Sequence, residues 1–164
     1  MKKILIISAV FIIVLVALFL YIRIDFNYGL FKTKQVEWQS KDLKNYSYTY
    51  SFGCGEGWGR YRVSVKNKIV TNVTDLNNDG AASQSENSAY SVGSVFRNIE
   101  KVYLNNKYKK IYKLIDGCYL SSIDVEYDST YSYPSQYFMN NKCSPMVADG
   151  GGCGYGISDF SIEK

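Results

Sequence analysis

The run Ile4–Ile22, ILIISAVFIIVLVALFLYI, carries no charge and constrains everything that follows it. Nineteen residues at about 1.5 Å each give roughly 28 Å of helix, close to the ~30 Å hydrocarbon core of a bilayer. The run ends LFLYIR, without the small-residue pattern of a cleavage site, and no cysteine in or just after it offers a point of lipidation. The expectation is an uncleaved single-pass signal anchor over residues 1–24, with Lys2 and Lys3 on the inner side. A juxtamembrane linker over 25–37 and an extracytoplasmic domain over 38–164 would follow. The expected location is therefore the cytoplasmic (inner) membrane, with the C-terminal domain outside and the membrane as first partner.

The cysteines agree with that compartment. Cys54, Cys118, Cys143 and Cys153 all follow the apolar run, an even number in a domain of modest size, which favours two disulfides formed under oxidising conditions. No two of them form a C-x-x-C pair and the chain has no histidine, so a zinc site is disfavoured. Cys143 and Cys153 bracket a loop short enough to close locally, which would leave Cys54 with Cys118; four cysteines allow three pairings.

The formal charge of +4 suggests nucleic acid only until it is divided along the chain. The whole excess lies in residues 1–45, and from Tyr46 onward twelve basic residues face twelve acidic ones. Basic residues next to an apolar run suit anionic headgroups, and nucleic-acid binding loses its support.

The pattern beyond the apolar run is that of an α+β domain. Gln35–Leu43 suits a short helix. Tyr46-Ser-Tyr48-Thr-Tyr50-Ser-Phe52 alternates strictly, as does a strand with one covered face. Arg60–Val65 and Ile69–Val73 continue the alternation across a tight turn at Lys66-Asn67-Lys68. Ser91 is placed to cap a helix whose stripe is Val92, Val95, Phe96, Ile99, Val102 and Tyr103. Lys107–Ile115 fits either a second helical piece or an edge strand. Leu120–Asp128, Gln136–Asn140 and Tyr155–Ile162 supply further strands. The fold class expected is α+β: an N-terminal transmembrane helix, then a small antiparallel sheet of about five to six strands packed on one main helix.

Four stretches invite a chemical reading. Asp75-Leu-Asn77-Asn-Asp79-Gly80-Ala81-Ala-Ser83-Gln-Ser-Glu86 fits the D-x-[DN]-x-[DN]-G-x5-E spacing of a calcium loop. Calcium takes six to eight oxygens, and Asp75, Asn77, Asp79, the Ala81 carbonyl, Ser83 and Glu86 would supply them. Against it, the residues before Asp75 read as a strand where a helix is usual, and Asn, Asp, Gly and Ser also make a plain surface connector. Asp124, Glu126 and Asp128 alternate on the wet side of a strand, where carboxylates hold a cation, do acid–base work or simply solvate a face. The loop Ser129–Pro134 with Tyr137 crowds aromatics at a hairpin tip, able to stack on sugars or pack around the turn. Gly53–Gly59 reads as a connector stapled by Cys54, since no lysine with Ser/Thr follows to make it a phosphate cradle.

Taken in order, Trp38, Asn45-Tyr46-x-Tyr48, Cys54, Arg62–Val70 (RVSVKNKIV), Val95-Phe96, Val125-Glu126-Tyr127-Asp128 and Tyr133-Pro134 resemble a family of small bacterial exported domains, often lipoproteins, with no assigned function. The resemblance runs from about Trp38 to Phe160. It implies an α+β domain outside the cytoplasmic membrane and brings no catalytic residues. The chain departs from the family's pattern in lacking a lipidation cysteine, in having Ser132 where glycine usually precedes Tyr-Pro, and in having one cysteine near Gly53 where two close ones are common.

These readings converge on a membrane-anchored, non-enzymatic binding or envelope-associated structural module whose protein or glycan partner the residues do not name. The alternatives are a calcium-binding exported domain using loop 75–86 and a carboxylate-dependent hydrolase drawing on Asp124, Glu126, Asp128, Asp149 or Asp159. Without a histidine, and with the cysteines expected in disulfides, nucleophile–base arrangements lack their usual members.

Overall fold

A computed structural model of the chain describes residues 2–54, 57–78, 80–81, 89–107, 118–143 and 152–163. Among the described residues three helices, α1 (Lys2–Ile22), α2 (Tyr28–Ser40) and α3 (Val92–Asn106), accompany seven strands. The strands are β1 (Tyr46–Cys54), β2 (Gly57–Lys66), β3 (Ile69–Asp75), β4 (Gly80–Ala81), β5 (Tyr119–Tyr127), β6 (Pro134–Lys142) and β7 (Cys153–Ile162). All pair antiparallel in one sheet of order β4-β3-β2-β1-β7-β6-β5.

The expected fold class needs correction on three points. Among the described residues no helix is long and apolar enough to cross a membrane. The sheet has seven strands, not five or six, the extra one being the two-residue β4. And the sheet carries two helices instead of one, because the segment expected as a linker over 25–37 is packed into the domain. Ile24 is buried, Asp25 bonds Ser121 and Ile123 through its backbone beside β5, and α2 buries Phe31, Gln35 and Trp38 at helical spacing. Asn27 caps α2 by accepting from the Leu30 N–H at 3.0 Å.

Both α2 and α3 cover the aromatic face of the sheet. Directly opposed residues of antiparallel strands share a face, so the inner layer can be read across the register. Tyr48 opposes Val63, Tyr50 opposes Ile157, and Tyr137 opposes both Val125 and Tyr155. Onto this layer α2 sets Trp38, edge-on to Tyr46 and Phe160, while its Phe31 meets Phe96 of α3 with ring centroids 5.6 Å apart. Ser91 caps α3 as expected, accepting from the Ser94 N–H at 3.1 Å. The two helices are tied by Glu100, which accepts from the Tyr28 hydroxyl at 2.6 Å and pairs with Lys32 at 3.2 Å. The Tyr28 hydroxyl is the main reason the Glu100 carboxyl lies below its ordinary range, with Lys32 adding to it.

Two disulfides are present, and their pairing corrects the expected one. Cys54 joins Cys153 and Cys118 joins Cys143; neither the 143–153 nor the 54–118 bond forms. Proximity in sequence misled here because strand pairing sets proximity in space. Cys54 and Cys153 are opposed residues of β1 and β7, and Cys118 and Cys143 lie one step beyond the Tyr119–Lys142 pair of the β5–β6 hairpin.

The aromatics of 129–134 belong to the core. Tyr133 and Pro134 are buried, and Tyr133 stacks on Phe160 at 4.8 Å and meets Trp38 edge-on. Ser132 holds φ 64°, a left-handed conformation that favours glycine, and its hydroxyl donates to Glu37 Oε2 at 2.6 Å. The hydrogen bond explains how a serine is held where the resembled pattern has glycine.

Candidate binding face of the sheet

Alternation that sends tyrosines inward sends their neighbours to the opposite face. Following the register across five strands, Trp58 of β2 opposes Gly53 of β1, Gly53 opposes Gly154 of β7, Gly154 opposes Phe138 of β6, and Phe138 opposes Asp124 of β5. The next row runs Arg60, Ser51, Gly156, Gln136 and Glu126 in the same strand order. Among the described residues no helix packs on this outer face. Trp58 is 70% exposed and Phe138 44%, large values for such side chains on a sheet interior.

Glycines make the floor between them. A Cβ on Gly154 would stand 2.8 Å from the Phe138 ring, so the missing side chain is what lets that ring lie down across β7. Gly53, by contrast, has nothing within 4 Å of where its Cβ would be, and the floor there is open. The result is a shallow depression of ≈ 710 Å³ with Phe138, Gly154, Gly156 and Ser51 among its lining residues. Trp58 and Phe138 stand three interstrand steps apart, roughly 14 Å at the usual strand spacing.

Charge is distributed across the strands with opposite signs on the two sides. On β2, Arg62 donates to Ser47 Oγ at 2.9 Å and to the Asp159 carbonyl at 3.3 Å. On β5 and β6, Asp124 accepts from Ser122 Oγ at 3.1 Å and Asn140 Nδ2 at 2.5 Å. Asp159 sits at a bulge in β7, at φ 51°, where the register against β1 shifts. Hydroxyl donation from Thr49 and then Ser158, with Arg60 and Arg62 nearby, holds its carboxyl below the ordinary range.

A group whose folded pKa is depressed stabilises the fold above its unfolded value, about 3.9 for aspartate, and loses that contribution as pH falls through the folded value. Asp159→Asn keeps a side chain that tolerates the left-handed backbone. Its melting temperature should therefore lie furthest below wild type above about pH 5, the gap closing as pH drops below about 4. A gap independent of pH in a melting series would contradict the charge-based origin.

The other sequence-predicted residues are dispersed. Of the calcium set, Asp79, Ser83 and Glu86 lie outside the described residues. Asp75 and Ala81 belong to the β3–β4 hairpin, paired with Gly80 and Thr74, and the Asp75 carboxylate accepts from the Asn77 N–H at 2.8 Å and Asn78 Nδ2 at 3.0 Å. Among the described residues no group of three or more acidic or cysteine side chains is placed to hold a metal ion. Asp124 and Glu126 share the outer face as expected, whereas Asp128 turns inward to its own loop, accepting from the Thr130 and Tyr131 N–H groups. Asp149 and the stretch 108–117 lie outside the described residues. Within the glycine run 53–59, Cys54 is stapled as expected, β1 continues to it and β2 begins at Gly57 as its opposed partner, while residues 55–56 lie outside the described residues. Trp58, Phe138, Gly154 and Gly156 were not marked by their sequence, although glycine at every second position of 152–156 has the period of a strand.

A seven-stranded antiparallel sheet, with helices on one face and, on the other, a glycine-rich depression lined by Phe138 with Trp58 further along the same row, defines a small disulfide-stapled α+β domain. Residues 30–162 match the model of a family of unknown function (DUF6174), and the chain belongs to that family. The match begins inside α2, in keeping with the packing of that helix into the domain. No curated protein matches the chain.

Proposed function

We propose that this domain is a non-enzymatic binding module that works in an oxidising compartment outside the cytoplasm, and that the outer sheet face is where it binds. The observation that carries the reading is the single register row that holds Trp58 and Phe138 exposed across a floor of Gly53 and Gly154. Scattered exposed apolar residues need no explanation, but aligned rings over a floor without side chains form a surface that a ligand can cover. The compartment is supported by two disulfides that staple strand ends, a usage rare where thiols are kept reduced.

The chain's two tryptophans make the test direct, since Trp38 is buried and Trp58 is exposed. In Trp38→Phe, emission reports Trp58 alone. Envelope material separated into protein, glycan and lipid fractions should protect it from acrylamide quenching and shift its emission to the blue. Full quenching in the presence of every fraction would reject the binding face.

A further inference from the structure

We infer that the ligand of the outer face is a neutral oligosaccharide laid across the strands from Trp58 to Phe138, an inference that rests on the outer face being the binding face. One side of a pyranose ring is rich in C–H groups whose hydrogens carry slight positive charge, and the face of an aromatic ring is slightly negative. With the Phe138 ring lying over Gly154 of β7, the two platforms stand about two interstrand steps apart, roughly 10 Å, still more than one sugar ring spans. A chain of sugar units reaches both.

The floor suits the same occupant. Gly53, with nothing within 4 Å of where a Cβ would stand, lets a flat ring approach the backbone between the platforms, where any larger residue would raise it off them. Along the second row, Arg60, Ser51 and Gln136 offer the paired donors and acceptors that neighbouring hydroxyls require.

Charge decides between occupants. Arg60 on one side faces Asp124 and Glu126 on the other, so neither sign dominates the face by more than one charge, and the middle of both rows is uncharged. A polyanion such as nucleic acid would meet two carboxylates at one end. A second copy turned about a two-fold axis would pair the opposite charges. Its interface centre would then be glycine and serine, with little apolar surface to remove from water, whereas stable interfaces have an apolar core. A neutral saccharide gains from stacking and from hydroxyl hydrogen bonds without needing that area.

The experiment is calorimetric titration of the full chain with neutral tetra- to hexasaccharides of glucose, N-acetylglucosamine, mannose and galactose. At least one series should bind, with the monosaccharide weaker by about tenfold or more. Trp58→Ala and Phe138→Ala should each weaken binding about tenfold, the scale of one lost aromatic stacking contact. Gly53→Gln, which fills open floor, should abolish it with the melting temperature kept. No binding by any neutral series, or binding unchanged in Trp58→Ala and Gly53→Gln, overturns the inference. If a saccharide-free protein or lipid fraction protects Trp58 while no series binds, the ligand class is wrong and the binding face stands. A dimer in sedimentation that Trp58→Ala dissolves, with no saccharide bound, makes the second copy the occupant.

Discussion

Phe96→Ala should lower the free energy of unfolding by about 3–5 kcal/mol, the range for truncating a buried aromatic. Phe96 is 1% exposed and lies on α3 between Val92, Val95, Ile99 and Tyr103, all buried. It is also where the two helices meet above the sheet, through its ring contact with Phe31, which is fully buried. Close-packed interiors relax only partly around a deleted ring, so the lost transfer energy and the cavity left behind add together. Trp58→Ala removes a larger side chain from a 70% exposed site and should change stability by no more than about 0.5 kcal/mol. Urea unfolding of both variants measures the contrast. A change below about 1 kcal/mol for Phe96→Ala would mean that α3 does not carry the core assigned to it.

That contrast follows the line between what was legible in the sequence and what was not. The inner face could be read because it is encoded locally. The alternation of Tyr46 to Phe52 and the helical stripe of Val92 to Tyr103 each lie within a few turns of chain, and the period picks out the inner side chains, although Ser47 and Thr49 of the opposite face are buried too. The N-terminal half of α2 was missed because its buried face is sparse, with polar Gln35 standing between Phe31 and Trp38. The outer face was missed for a different reason. Its rows are assembled from β2, β1, β7, β6 and β5, and β7 returns beside β1 only at the end of the chain. No window of sequence contains Trp58 and Phe138 together. Glycine at 152, 154 and 156 also reads as turn punctuation until a partner strand supplies the register. Of the calcium ligands expected over 75–86, only Asp75, Asn77 and Ala81 lie among the described residues, and there the Asp75 carboxylate accepts from the Asn77 N–H in the turn after β3.

The same non-local pairing ranks the two disulfides. Cys54–Cys153 closes a separation of 99 residues and Cys118–Cys143 one of 25. In the chain-entropy model the first removes about 4.7 kcal/mol of unfolded-state freedom, and the second roughly 3–3.5 kcal/mol. Replacing Cys54 and Cys153 together by serine should therefore lower the melting temperature more than replacing Cys118 and Cys143. The expected loss is about 2–5 kcal/mol, the usual range for a native bond in a small domain. Peptide mapping without reduction comes first and should recover fragments joining 54 to 153 and 118 to 143; a 143–153 fragment would refute the pairing. The longer bond also borders the outer face, since Cys54 and Cys153 each adjoin a floor glycine, Gly53 and Gly154. Its removal frees the ends of β1 and β7 where the Trp58 row crosses them. Trp58 emission should then change at temperatures well below the global transition in the Cys54/Cys153 variant and follow the global transition in the Cys118/Cys143 variant. Coincident transitions in both would mean that the bond stabilises the whole domain without holding that row in register.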